Sequence, residues 1–73
     1  MLTGVVKDFS KKGHGMVWTG EKAFFLHKNY MQKGQGIPAN GDLVEFRPYA
    51  VMSPNPHKRD LALNVRIVAK ATR

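Results

Sequence analysis

A chain of 73 residues has room for one small domain and one modest core, and its 42% apolar content argues for a folded domain rather than a disordered tail. The absence of cysteine excludes disulfides and a thiolate zinc site; no run nears the roughly 18 apolar residues that span a bilayer, and the N-terminus lacks a signal-peptide stretch, so a soluble, cytoplasmic protein is expected. Twelve Lys and Arg against five Asp and Glu give a formal +7 and a pI near 10.2, which points to nucleic acid, because a membrane partner would call for an amphipathic basic helix that the sequence does not offer.

Alternation with period two dominates from the N-terminus onward. In "LTGVVKDF", Leu2, Gly4 and Val6 share one face, while Val5, Lys7 and Phe9 share the other. "SKKG" is short enough for a hairpin turn, and "KKGHGMVW" then places Gly15 and Val17 opposite His14, Met16 and Trp18. After the turn "TGEK", "AFFLH" sets Phe24 and Leu26 against Phe25 and His27. "KNYMQ" predicts a single helical turn leading into the glycine- and proline-bearing loop "QKGQGIPANG".

"DLVEFRPY" puts Val44 and Phe46 opposite Leu43 and Glu45, with Pro48 marking an edge position or a bulge. "SPNPHKRD" predicts an exposed basic tip. "LALNVRIV" offers Leu61, Leu63, Val65 and Ile67 on one face, with Ala62, Asn64 and Arg66 on the other. "AKATR" predicts a frayed basic tail, so the expected organisation is one domain over residues 1–68 and a tail over 69–73.

Five short strands without a useful helix predict an all-β fold. A five-stranded antiparallel barrel of the OB type accounts for them and closes the edges that a flat sheet would expose; an SH3-like barrel is the competing arrangement.

With Gly15 and Val17 facing inward, Lys7, Phe9, His14, Met16, Trp18, Phe25 and His27 fall on one outer wall, because neighbouring strands lie about 4.8 Å apart. An exposed aromatic wall needs a ligand, and nucleobases stack on such rings while flanking lysines neutralise phosphates. The expected nucleic-acid-binding residues are therefore Lys7, Phe9, Lys12, His14, Met16, Trp18, Phe25, His27 and Lys28, with Lys11, His57, Lys58 and Arg59 as candidate additional contacts.

The same residues carry a family resemblance. "KGHGMV" followed by "AFFLH" resembles the two ribonucleoprotein motifs of the cold-shock domain, usually K-G-[FY]-G-F-I and V-F-V-H. "TGVVKDF", "NGDLVEF" and "ALNV" resemble that family's first strand, fourth strand and closing A-x-N-V, so the likeness covers residues 2–46 and 61–67 in the family's order. RNA-recognition motifs share K-G-x-G-x-V, but their partner motif lies N-terminal across a helix and a strand, and a motif starting at Lys12 leaves no room for them.

The departures are specific. Asp8 stands where the family carries Trp, His14 and Met16 replace two aromatics, and Lys28 replaces a Phe; the first loop is one residue shorter, and Trp18 is an added ring. The resemblance implies binding of single-stranded RNA or DNA with little sequence preference and an RNA-chaperone-like role, as a monomer or strand-exchanged dimer. The replacements shift the expected affinity from stacking toward charge. A protein-interaction or ribosome-associated module on the same scaffold, with weakened nucleic-acid binding, is the alternative.

Catalysis is not expected. The sequence has no Ser-His-Asp arrangement, no paired carboxylates and no phosphate-cradling glycine loop before a helix. His14, His27 and His57 lack metal-ligand spacing, so no metal, cofactor or small-molecule substrate is implied.

Overall fold

The computed structural model describes residues 1–50 and 60–71; His57, Lys58 and Arg59, with most of the predicted basic tip, lie outside them. Five strands follow the predicted segments: β1 (Leu2–Lys7), β2 (His14–Trp18), β3 (Ala23–His27), β4 (Leu43–Tyr49) and β5 (Leu61–Ala69). The single predicted helical turn is a 3-10 turn over Lys28–Tyr30. Among the described residues, no helix is long and apolar enough to cross a membrane.

The strands form one sheet in the order β1-β2-β3-β5-β4, and β4 pairs again with β1, so the sheet closes into a ring. Hairpins make β1–β2 and β2–β3 antiparallel, and β1–β4 and β4–β5 are antiparallel too. The closing pair β3–β5 is parallel, at Phe25↔Leu61, which corrects the all-antiparallel expectation. No tight turn joins β3 to β5, so nothing local forces those two strands to run in opposite directions.

Inward-facing residues of four strands behave as their alternation predicts. Val6, Val17, Leu26, Val44 and Phe46 are fully buried and Phe24 nearly so, with the Phe24 and Phe46 rings 4.9 Å apart. Burying each such side chain contributes about 1.5–3 kcal/mol, which makes this cluster the main source of stability in so small a domain.

β5 departs from its predicted faces. Ala62 and Val65 are fully buried, whereas Leu61 and Leu63 are only half-buried, on the side opposite Ala62. The cause is Asn64, which takes φ 52°. Glu45 pairs with Arg66 while Arg47 pairs with Leu63, so Asn64 and Val65 together face the single residue Phe46. This is a β-bulge, and the extra residue inverts the parity of everything before it. Asn is among the few non-glycine residues that tolerate such a φ.

Of the predicted frayed tail, the described residues Ala69 and Ala71 are held by hydrogen-bonded partners. Ala69 pairs with Leu43, and the Ala71 N–H donates to the Asp42 carboxylate at 2.7 Å. Asp42 is almost fully buried and also accepts from the Ala39 N–H at 2.9 Å, so backbone donors satisfy both its oxygens. Pro48 lies past Leu2, where β1 begins, so it pairs on one side only, with Ala62, in the edge position that proline tolerates.

Candidate nucleic-acid interface

Cross-strand registers define the outer wall. Lys7 pairs with Met16, which pairs with Phe25; His14 pairs with His27; Trp18 lies between Val5 and Ala23. Partners in a sheet project to the same side, so these three rows form one continuous surface over β1, β2 and β3. Val17, Phe24 and Leu26 turn the other way into the core.

The wall depends on a glycine behind it. A Cβ placed on Gly15 would lie 2.6 Å from the Phe9 Cα and 2.9 Å from the Phe9 nitrogen. The backbone leaving β1 crosses β2 at this point, and only a residue without a side chain admits it.

That crossing also corrects the position of Phe9. β1 ends at Lys7 and Asp8 takes φ 54°, so the alternation of the strand does not extend to residue 9. Phe9 is half-buried and packed against the core cluster rather than continuing the row of Val5 and Lys7. Its backbone is anchored by the Asn40 amide, which accepts from the Phe9 N–H at 2.7 Å and donates to the Phe9 carbonyl at 3.4 Å.

The rings gather at one end of the wall. Phe25 lies 6.2 Å from His14 and 6.4 Å from His27, and Tyr30 meets Phe25 edge-on at 6.2 Å and His27 at 5.7 Å. Tyr30 is not among the residues expected from the sequence. Its signal was the predicted turn itself: in a 3-10 turn residues i and i+3 eclipse, so His27 and Tyr30 fall over one another.

His27 has a fixed orientation. Its Nδ1 accepts the Asn29 N–H at 3.1 Å and caps the 3-10 turn, which leaves Nε2 to carry the ring proton of the neutral tautomer. Trp18 is 39% exposed and stands four residues along β2 from His14, about 13 Å away at the rise of a strand. Met16 bridges the two aromatic ends.

Cations border the ring cluster. The Lys28 N–H donates to the Gly13 carbonyl at 2.8 Å, and a Cβ on Gly13 would lie 2.7 Å from the Lys28 Cδ, so the Lys28 stem covers the turn that carries Lys11 and Lys12. All three are exposed, as is Lys7. Among the described residues the ion pairs are Lys22–Asp60 and Arg66–Glu45, away from this border, and Asp42 is buried against backbone donors. Asp8, next to Lys7, is exposed as well.

Of the predicted site residues, the structure brings Lys7, His14, Met16, Trp18, Phe25 and His27 onto one wall, sets Lys11, Lys12 and Lys28 at its edge, and leaves Phe9 half-buried against the core cluster, outside the paired rows. No protein-family model matches the chain, and no curated protein matches it.

Proposed function

We propose that this protein binds single-stranded RNA or DNA with low sequence preference, on an OB-type barrel of the cold-shock kind, and that it keeps strands unpaired without cleaving them. The observation that carries the reading is the half-exposed ring cluster of His14, Phe25, His27 and Tyr30, bordered by lysines that form no ion pair among the described residues. Ring faces that water disfavours are stabilised when bases stack on them, and free cations beside them neutralise the phosphates of the same strand.

The closed ring of five short strands supports the OB-type scaffold. Tyr30 supports the stacking role, since it adds a ring two residues beyond Lys28, the position where the cold-shock pattern expects one. His27 presents Nε2–H as a donor to base or phosphate acceptors.

Phe25→Ala tests the reading. Phe25 sits on the outer face, so the core is spared; the expected loss is about 1–3 kcal/mol of binding to an oligothymidine or oligouridine, with an unchanged circular dichroism spectrum. Equal affinity of variant and wild type would reject the stacking surface.

A further inference from the structure

The wall does not stop at β3. Phe25 pairs with Leu61 and Leu61 pairs with Tyr49, so one cross-strand row runs Lys7, Met16, Phe25, Leu61, Tyr49 around the outside of the ring. The bulge at Asn64 creates this continuation. Had β5 kept its simple alternation, Leu61 and Leu63 would face the core; the added residue turns them outward beside Arg47 and Tyr49.

A groove of about 340 Å³ lies along this part of the wall, lined by Asn29, Tyr30, Arg47, Tyr49, Leu63 and Asn64 among others. Its size is at the lower end of the range for small-ligand sites. Tyr30 is shared: its ring contacts Phe25 and His27 on one side and borders the groove on the other. Tyr49 is 55% exposed, and Arg47 is exposed and forms no ion pair among the described residues.

We propose that this groove is a further nucleotide subsite, continuous through Tyr30 with the ring cluster; the proposal rests on the nucleic-acid reading above. Three chemistries of a nucleotide meet three kinds of side chain here. The base lies on Tyr49 and Leu63, its polar edge meets the amides of Asn29 and Asn64, and the phosphate pairs with the Arg47 guanidinium. A bound strand therefore passes from β2 and β3 across β5 to β4, and the site is longer than the β1–β3 wall alone.

Length-dependent binding separates the two ideas. Wild type, Phe25→Ala, Tyr49→Ala, Tyr49→Phe and Arg47→Gln are titrated with oligouridines and oligothymidines of about four and about eight bases, within the site sizes of OB-type domains. Tyr49→Ala is expected to weaken the longer ligand about five- to hundredfold and the shorter one little, while Tyr49→Phe keeps wild-type affinity. Arg47→Gln is expected to flatten the salt dependence of the longer ligand by about 0.7 in log K against log salt, one phosphate contact. If Phe25→Ala weakens binding but neither groove variant matters at either length, the subsite is overturned and the ring cluster stands. If wild type binds neither ligand, both readings fall.

Discussion

Gly15 shows how a single missing side chain shapes the outer wall. The strand carries its large groups outward and its glycine inward because the Phe9 backbone passes over the glycine at a distance no Cβ permits. Gly15→Ala is expected to destabilise the fold by about 1–3 kcal/mol, the usual cost of forcing extra atoms into a packed site. A denaturant midpoint equal to wild type would show that the crossing relaxes freely. The parity of β2 was legible in "KKGHGMVW"; the fate of Phe9 was not. Asp8 at φ 54° ends the alternation, and hydrophobic periodicity carries no signal for a backbone torsion. Tyr30 was missed for a related reason, since its meeting with His27 comes from the pitch of a three-residue turn rather than from a pattern of apolar residues.

Among the elements, β5 differs most from its sequence pattern, and Asn64 is the reason. Four alternating aliphatic residues read as one buried face, but the bulge divides them, leaving Val65 in the core and Leu61 and Leu63 on the wall. The bulge is further tied to the loop after the 3-10 turn: the Gln32 amide donates to the Asn64 carbonyl at 3.0 Å, and the Gln32 N–H donates to the Val65 carbonyl at 2.9 Å. Asn64→Val places a β-branched residue at positive φ and is expected to cost about 1–3 kcal/mol, while Asn64→Gly, which adopts that torsion without strain, stays much closer to wild type. Thermal unfolding of the two variants checks the order; a Val variant as stable as the Gly variant would contradict the bulge. The remaining strands were legible because each buries one face only, so a one-residue slip would expose its core residues.

For the molecule as a whole, charge is the property most exposed to test. Asp60 and Glu45 pair with Lys22 and Arg66, and backbone donors hold Asp42, so Lys7, Lys11, Lys12 and Lys28 are among the cations that form no ion pair among the described residues of a chain with net charge +7. Three or four phosphate contacts by these lysines predict a slope of about −2 to −3 in log K against log salt for single strands. A flat response in a salt titration would remove the lysines from the interface. A slope of that size with little loss on Phe25→Ala would mark a binder led by charge rather than by stacking.

The sequence by itself determined the five strands, their turns, most of the core and the side of β2 and β3 that carries the rings, because each rests on alternation within a few neighbouring residues. Tertiary structure alone decided what distant segments impose on one another: the parallel closure of β3 on β5, the half-buried packing of Phe9 against the core cluster, and the turn-out of Leu61 beside Phe25 and Tyr49. Local pattern fixes which way a side chain points along its own strand. Only the closing of the ring, through positive torsions at Asp8 and Asn64, fixes which strand it points beside.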